Sequence, residues 1–406
     1  MITSRERVLQ ALDFRVTDRV PKDLGGMRST SISAFAYPKL VAALGLPHRF
    51  PHIEDTGQML ALPDLDVLDA LGIDVVTIAD GVTNAFVEPE KWHPYNFNGR
   101  LPALVRYPDD FQTQPDGTIT QRNLRMPPTS YVFDEPHGGQ YLNLTDDLPK
   151  VDFRDLKREL QAQVVKDEQI IANRDLCRRV RESTDRAIFL NEGLFNPPIC
   201  IHGWGGLAIF PILCITEPDY VTELHEIATE FAIRNIRSLL PEITPYVDII
   251  MVAADDWGTQ NNLIASPQVF RDLFLPYRRK INDEIHRIAP RVKCYLHSCG
   301  AIYKLIDLII ESGFDILNPA QWPAGGHSFQ EWKDKCRGRI SLWGGGVNSQ
   351  VTLPFSTVGE VEKEVQEIVE YMRQDGGYVF CNIHNLLAEI PPEKVIAMYR
   401  VASQIP

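Results

Sequence analysis

The chain has 406 residues, of which 44% are hydrophobic and 23% are charged, and its formal net charge at pH 7 is −13. This acidic balance argues against binding to nucleic acid or to an anionic membrane surface. No segment approaches the ~20 apolar residues of a membrane span, and the first residues contain no apolar signal core. The seven cysteines are scattered and odd in number, so we expect reduced thiols in a cytoplasmic protein and no disulfide framework.

The first 150 residues predict a mixed region that ends in an insertion. Apolar periodicity and turn residues predict helices at 4–14, 31–45 and 64–71 and strands at 20–24 and 73–79. The stretch from 85 to 150 differs, because Pro, Gly, Asp and aromatic residues interrupt short alternating runs such as Thr118-Ile119-Thr120. We interpret this stretch as an inserted, β-rich antiparallel element within a single domain that spans residues 1–406.

From residue 151 onward, helices and strands alternate regularly. The predicted strands are 187–191, 247–254, 292–297, 314–317, 340–343 and 377–380, and the predicted helices are 154–182, 217–240, 267–288, 301–311, 328–336, 357–374 and 391–403. Together with the two earlier strands this makes eight, and the alternation favours an α/β fold whose parallel sheet closes into a (β/α)8 TIM barrel. An open doubly wound sheet is the alternative, although no Gly-x-Gly-x-x-Gly opens a helix after the first strand.

Polar side chains follow nearly every predicted strand. They are Asp23, Glu192, Asp255 with Asp256, His297 with Cys299, Asn318 with Gln321, Asn348, and His384. The carboxyl ends of barrel strands face the active site, so we expect these side chains to converge. His297 and Cys299 lie two residues apart, so an extended backbone points both to one side, where an imidazole and a thiolate suit zinc. The alternative for this pair is a buried strand-end histidine and a small core cysteine.

A catalytic zinc ion keeps three protein ligands and one exchangeable position, so a third ligand is needed. We favour His384, in the loop after the last strand, with Cys381 as the second choice and core packing as its alternative role. Glu192 is either an oxygen ligand to the metal or a salt-bridge partner. Adjacent side chains of a regular strand point to opposite faces, so only one of Asp255 and Asp256 can point inward. The inward-facing aspartate would bind substrate, act as a base or support a metal ligand, and the other would cap the next segment.

Several longer motifs extend this pattern. They are Arg7-Val8-Leu9-Gln10-Ala11-Leu12, Asp18-Arg19-Val20-Pro21, Asp255-Asp256-Trp257-Gly258-Thr259-Gln260, Leu296-His297-Ser298-Cys299-Gly300, Asn318-Pro319-Ala320-Gln321, and His384-Asn385 before Pro391-Pro392-Glu393. With these motifs nearly the whole chain resembles the uroporphyrinogen decarboxylase superfamily, and within it the zinc-containing, corrinoid-dependent methyltransferases. The fold of that superfamily is a (β/α)8 barrel, in agreement with the strand count.

The resemblance also separates two branches of the superfamily. True decarboxylases carry Met-Arg-Gln-Ala-Gly-Arg after the first strand, and its arginines hold porphyrinogen carboxylates, whereas residues 23–30 here contain only Arg28. The methyltransferases use His-x-Cys and a later cysteine as zinc ligands; this chain has His297 and Cys299, and His384 stands where the later cysteine belongs.

The resemblance therefore implies a methyltransferase with two cofactors, Zn²⁺ and a corrinoid such as methylcobalamin, which would serve as methyl donor or acceptor. The implied partners are a corrinoid protein and a small molecule that donates or accepts the methyl group. Asp255 and Asp256 are the predicted catalytic residues, and Asn318 and Gln321 are the predicted cofactor-binding residues.

Two other hypotheses stay open. One is a divergent, metal-free decarboxylase-like lyase that uses Asp255 or Asp256. The other is a barrel without enzymatic activity that carries a tetrapyrrole or a corrinoid. Metal content separates the methyltransferase from the lyase, and turnover with methylcobalamin separates it from the carrier.

Overall fold

The computed structural model describes residues 2–136, 148–191, 195 and 197–405. The helices are α1 (Ser4–Leu12), α2 (Tyr37–Ala43), α3 (Leu65–Leu71), α4 (Phe153–Ala162), α5 (Asp167–Ser183), α6 (Phe210–Thr216), α7 (Pro218–Ile243), α8 (Pro267–Leu273), α9 (Leu275–Ile288), α10 (Ile306–Glu311), α11 (Phe329–Cys336), α12 (Thr352–Phe355), α13 (Val358–Met372) and α14 (Pro392–Gln404). Among the described residues, no helix is long and apolar enough to cross a membrane.

The strands of the amino-terminal third are short. They are β1 (Ile32–Ser33), β2 (Ile53–Asp55), β3 (Leu60–Ala61), β4 (Val75–Ala79), β5 (Val82–Thr83), β6 (His93–Asn96), β7 (Pro102–Val105), β8 (Phe111–Thr113), β9 (Ile119–Gln121) and β10 (Leu124–Met126). The later strands are β11 (Ala187–Asn191), β12 (Ile249–Ala254), β13 (Lys293–His297), β14 (Ile316–Asn318), β15 (Ser341–Trp343) and β16 (Tyr378–Val379).

An eight-stranded sheet forms the centre of an α/β fold. Its strand order is β16-β15-β14-β13-β12-β11-β4-β5, and all neighbours are parallel except the antiparallel β4–β5 hairpin. Seven of these strands coincide with predicted ones. The eighth, β5, was not predicted, and residues 20–24 form no strand in its place.

Residues 20–24 nevertheless lie at the gap between the two ends of this sheet. Lys22 forms an isolated parallel bridge with Phe380, directly after β16, and the Asp23 N–H donates to the Phe380 carbonyl at 2.9 Å. On its other side, the Lys22 carbonyl accepts the N–H of Asp74, directly before β4, at 2.9 Å. These contacts are the ones expected of a first barrel strand, although the segment is too short to count as one.

Alternate residues of the parallel strands pack against each other in a cluster of their own, which shows that the sheet is curled. The members are Val75, Ala187, Phe189, Ile249, Met251, Tyr295, Ile316, Trp343, Val379 and Cys381, together with Val8, Leu12 and Met27. The outward-facing residues of the same strands belong to a second cluster shared with the helices. Parallel sheets covered in this way are buried on both faces, which is why their strands are short, continuous apolar runs.

A buried charge network attaches α1 to the amino-terminal end of the sheet. The carboxylate of Asp74, which is fully buried, lies 2.7 Å from Arg7 Nη1 and 2.6 Å from Arg19 Nη1. Arg7 also pairs with Asp18 at 2.7 Å. The two amino-terminal motifs therefore stabilise the fold at the end of the sheet opposite the strand ends discussed below.

The insertion region contains two small antiparallel sheets. Strands β6 and β7 pair with each other, and β8, β9 and β10 form a meander; none of them joins the eight-stranded sheet. Residues 137–147 of the predicted insertion lie outside the described residues. The single-domain organisation with an insertion at 85–150 stays a prediction.

Four helix predictions need correction. Residues 267–288 form two helices, α8 and α9, because the backbone leaves the helical conformation at Phe274. Residues 301–311 are α-helical only at Ile306–Glu311, after a 3-10 turn at Tyr303–Leu305. Residues 31–45 are helical only at Tyr37–Ala43, because Ile32–Ser33 pairs with β3 instead. Residues 154–182 form two helices rather than one, separated by the buried Val165, whose N–H donates to Asn235 Oδ1 on α7 at 3.0 Å.

Candidate metal centre

The loop that carries Cys299 is fixed by close backbone packing. Strand β13 ends at His297, and Gly300 then adopts φ +85°. A Cβ atom on Gly300 would lie 2.2 Å from the Gly258 carbonyl oxygen, so no side chain fits at this position. The Gly258 N–H donates to the Cys299 carbonyl at 3.1 Å. The loops that follow β12 and β13 are therefore held together at the carboxyl ends of the strands.

Three predicted metal ligands converge at this end of the sheet. One ligand atom each from His297, Cys299 and His384 lies within 4.8 Å of the other two. The two imidazole rings are 5.3 Å apart and nearly perpendicular. Tetrahedral zinc with bonds of about 2.0–2.3 Å separates such ligand atoms by about 3.3–3.6 Å, so small side-chain shifts would close the site. The donor set of two nitrogens and one sulfur fits a zinc ion.

His297 has its tautomer set by neighbours. Its Nδ1 lies 2.6 Å from Asn318 Oδ1, and Asn318 Nδ2 donates to the Trp343 carbonyl at 2.8 Å. Because the carbonyl can only accept, the Asn318 amide is oriented with its oxygen toward the histidine, and Nδ1 of His297 must carry the proton. In the neutral form of this imidazole, Nε2 therefore carries the lone pair that a metal ligand requires.

His384 and Cys299 differ in protonation: a metal ion would find a neutral imidazole at His384 but would have to displace a proton from the thiol of Cys299. Burial, and secondarily the nearby His297, lowers the pKa of His384 to about 4, so its imidazole is neutral at pH 7. Burial, and secondarily the Asp256 carboxylate, raises the pKa of the Cys299 thiol, so a bound metal would displace a proton there. His384 adopts φ +58°, and Asn382 Nδ2 donates to its carbonyl. No sequence signal identified Asn382 in this supporting role.

Asp256 is the member of the aspartate pair that faces the centre. Its Oδ1 lies 3.4 Å from His297 Nε2 and accepts the Cys299 N–H at 2.9 Å. Its side chain is 44% exposed. Burial by itself would raise the pKa of Asp256, but the neighbouring His297, through its charge when protonated, and the hydrogen bond from the Cys299 N–H lower it below its usual value. Asp256 is thus a carboxylate at neutral pH, accessible from solvent and in contact with two of the three ligand residues.

Asp255 is buried and engaged elsewhere. Its Oδ1 accepts the Ile201 N–H at 2.7 Å, and its Oδ2 accepts the Trp257 Nε1–H at 2.7 Å. The buried guanidinium of Arg278 lies 3.5 Å from Oδ2 and donates to the Ile199 carbonyl. Burial raises the pKa of Asp255, which Arg278 partly opposes. In this arrangement Asp255 and Arg278 attach residues 199–201 to the end of β12.

The remaining predicted site residues have different surroundings. Gln321 Oε1 accepts the Gly300 N–H at 2.8 Å, so Gln321, like Asn318, supports the ligand-bearing loop. Cys381 is fully buried in the inward-facing cluster, with its Sγ 3.4 Å from the Asn382 carbonyl, and it is not part of the converging group. Glu192 lies outside the described residues.

Arg28, at the place of the decarboxylase arginines, is already neutralised. Its guanidinium binds the Glu54 carboxylate at 2.6 Å and also pairs with Asp80. Asp55 lies 3.8 Å from its Nε. Three carboxylates thus surround Arg28, and the guanidinium of a second arginine, Arg106, lies 4.0 Å from one of them, Asp80.

A second group of possible ligands, His286, Cys294 and Asp315, lies at the opposite ends of β13 and β14. His286 Nε2 and Asp315 Oδ2 are 2.8 Å apart, which is the distance of a direct hydrogen bond. Two ligands of one zinc ion would be about 3.3 Å apart. Asp315 Oδ2 also accepts the Cys294 N–H at 2.7 Å, so this group stabilises the strand start.

Comparisons with known proteins agree with this architecture. The family model described as uroporphyrinogen decarboxylase (URO-D) matches residues 206–405, the part of the chain that contains His297, Cys299 and His384. A methyltransferase from Methanosarcina mazei has a similar structure, with a TM-score of 0.57 and 17% identity over 99% of this chain and 98% of that one. Because the identity is low, this likeness supports the fold alone.

Other similarities are weaker. Xylanase B from Clostridium stercorarium F9 aligns with 63% of this chain and 85% of its own at 10% identity, with a TM-score of 0.31, too low to support an argument. No curated protein matches the chain. The family match confirms the resemblance drawn from the sequence motifs, because residues 206–405 are similar to the uroporphyrinogen decarboxylase family.

Proposed function

We propose that this protein binds one zinc ion through His297, Cys299 and His384 and transfers a methyl group between a corrinoid protein and a small molecule. The observation that carries the proposal is the convergence of these three ligand atoms within 4.8 Å of one another. We further propose that residues 20–24 close the curled sheet into a (β/α)8 barrel, so that the zinc site lies at the barrel mouth. The corrinoid partner would then approach from outside.

Each residue of the centre has a defined task in this proposal. A bound zinc ion would lower the pKa of a thiol or hydroxyl acceptor and so supply a nucleophile for the methyl group. Asn318 keeps the proton of His297 on Nδ1, so that Nε2 stays available as a ligand. Asp256 would orient the acceptor or take up its proton, since its carboxylate is ionised and partly exposed beside the ligands.

Charge supports methyl transfer over decarboxylation of uroporphyrinogen. Burying several substrate carboxylates without partner cations costs more free energy than their contacts return. Arg28 is the only arginine at the relevant position, and Glu54 and Asp80 already bind it. A polycarboxylate would have to compete with these two residues for Arg28, and the neighbouring Arg106 already donates to the Asp80 carbonyl at 2.8 Å and lies 4.0 Å from the Asp80 carboxylate.

A spectral assay tests the proposal. The protein would be incubated with methylcobalamin, or with a methylated corrinoid protein, and a panel of thiol and phenol acceptors. We expect loss of the methyl–cobalt absorption with at least one acceptor, and no loss with His297→Ala. Release of carbon dioxide from uroporphyrinogen by the metal-stripped protein would instead support the lyase. Corrinoid binding without turnover across the panel would support the carrier.

A further inference from the structure

The three proposed zinc ligands fill three of the four positions that zinc takes in proteins. His297 and His384 would bind as neutral imidazoles and Cys299 as a thiolate, so one positive charge of a bound Zn²⁺ ion is not compensated. His297 is only 5% exposed, and an uncompensated charge beside a buried side chain costs free energy. An anionic fourth ligand would complete both the geometry and the charge.

Asp256 has a carboxylate oxygen at the distance of such a ligand. Its Oδ1 lies 3.4 Å from His297 Nε2. Two nitrogen or oxygen ligands of a tetrahedral zinc ion, with bonds of about 2.0–2.1 Å, lie about 3.3 Å apart. A charge-assisted N–H···O hydrogen bond would be shorter, at about 2.7–2.9 Å. In the neutral tautomer that Asn318 sets, the two atoms present lone pairs to each other, which is favourable when a cation lies between them.

The hydrogen bond that positions Asp256 leaves it free to bind a metal ion. Its Oδ1 accepts the Cys299 N–H at 2.9 Å, and a carboxylate oxygen keeps a second lone pair. Asp256 is not one of the three residues whose ligand atoms all lie within 4.8 Å of one another, so its side chain must rotate to complete the tetrahedron. At 44% exposure, the side chain borders solvent and has room for this rotation.

The neighbouring Asp255 is unsuited to this role. Its two oxygens accept hydrogen bonds from the Ile201 N–H and the Trp257 indole N–H, both at 2.7 Å. Arg278 lies 3.5 Å from the second oxygen and compensates its charge. Asp256 is therefore the aspartate of the pair that can exchange between a metal ion and solvent.

We propose that Asp256 is the fourth zinc ligand while no acceptor is bound, and that an acceptor which binds the metal displaces it. This inference rests on the proposed function. On exchange, the zinc–oxygen bond to Asp256 breaks, a bond from zinc to the sulfur or oxygen of the acceptor forms, and the proton of that S–H or O–H passes to the released carboxylate. One anionic ligand replaces another, so the charge of the ligand set does not change. The exposed carboxylate then gives the proton to solvent.

Asp256→Asn tests this exchange. The amide oxygen still accepts the Cys299 N–H, but it carries no charge and is not among the usual ligands of zinc. Co²⁺ would replace Zn²⁺, because it accepts the same ligands and its visible absorption changes with its coordination. Ethanethiol would serve as the probe acceptor. Asp80→Asn is the matched control, because Asp80 is 45% exposed and follows β4 at the same end of the sheet.

We expect Asp256→Asn to have an altered cobalt spectrum and to bind Co²⁺ about tenfold more weakly than wild type. It should bind ethanethiol about tenfold more tightly, because no carboxylate has to be displaced; each factor corresponds to about 1.4 kcal/mol. By thermodynamic linkage, the two proteins should then bind Co²⁺ with similar affinity at saturating ethanethiol. Asp80→Asn should match wild type in all three measurements.

The inference is overturned if Asp256→Asn keeps the wild-type cobalt spectrum. It is also overturned if the variant binds ethanethiol more weakly than wild type, which is the result expected of a residue that only orients the acceptor. Equal weakening of Co²⁺ binding with and without ethanethiol would show a structural role instead. In each of these cases the metal centre of the proposed function still stands, whereas wild-type protein that binds neither Co²⁺ nor Zn²⁺ would overturn both.

Discussion

Replacing Asn318 tests how the metal centre is organised. In Asn318→Leu the side chain keeps a similar size but offers no acceptor to His297 Nδ1, which lies 2.6 Å from the native amide oxygen. The imidazole proton is then free to move to Nε2, and the ring loses its fixed orientation. Loss of such a supporting residue typically weakens metal affinity 10–100-fold, or about 1.4–2.7 kcal/mol. The cost of about 1–3 kcal/mol for leaving a buried N–H without an acceptor agrees with this range.

Two measurements check this prediction. Zinc affinity would be determined by competition with a chromophoric chelator, and ¹⁵N NMR of the metal-free protein would report the tautomer of His297. Asn282→Leu is the matched control, because Asn282 is equally buried and donates to the Ser312 carbonyl, remote from the ligands. The reasoning is refuted if Asn318→Leu binds zinc within threefold of wild type, or if Nδ1 stays protonated in it.

Two stability predictions follow from buried carboxylates. Asp255→Asn should lower the free energy of unfolding, measured in urea, by about 3–5 kcal/mol, because it leaves the buried Arg278 without its counter-charge. Asp283→Asn is the control: it removes an exposed pair with Arg279 and should cost under about 0.5 kcal/mol. Equal losses in the two variants would contradict this prediction. Burial raises the pKa of Asp23 to about 6, so the folded state binds the proton of this carboxyl more tightly than the unfolded state does. The contribution of Asp23 to the free energy of unfolding therefore falls as the pH rises from about 4, near the pKa in the unfolded chain, to about 6, the pKa in the folded protein. Wild type should therefore lose about 1.4 kcal/mol relative to Asp23→Asn between pH 5 and pH 8, and a pH-independent difference would count against it.

The parallel strands were predictable because each is a short apolar run followed by a polar residue. The bounds of Ala187–Asn191 were predicted without error, and the other six predicted strands of the sheet differ by one or two residues at one or both ends. The β4–β5 hairpin was missed although its turn has a signal. Asp80 and Gly81 both adopt positive φ, 44° and 78°, and Asp-Gly between apolar residues is typical of a tight hairpin turn.

The metal centre was predictable only in part. The two-residue spacing indicated that the side chains of His297 and Cys299 point to the same side of the strand. The predicted barrel placed His384, after the last strand, at the same end of the sheet. The sequence could not decide between Asp255 and Asp256, because a single residue's shift at the strand end exchanges their faces. Nor could it show that Asn318 holds the histidine, since that contact joins neighbouring strands through side-chain geometry.

The zinc content of the purified protein decides whether His297, Cys299 and His384 form a metal site. Elemental analysis would compare wild type with His384→Ala, Cys381→Ala and the double variant His297→Ala, Cys299→Ala, with circular dichroism to confirm folding. We expect one zinc ion per chain in wild type and in Cys381→Ala, and none in His384→Ala or in the double variant. Full zinc occupancy in the double variant would contradict this expectation, and loss in Cys381→Ala with retention in His384→Ala would make Cys381 the third ligand.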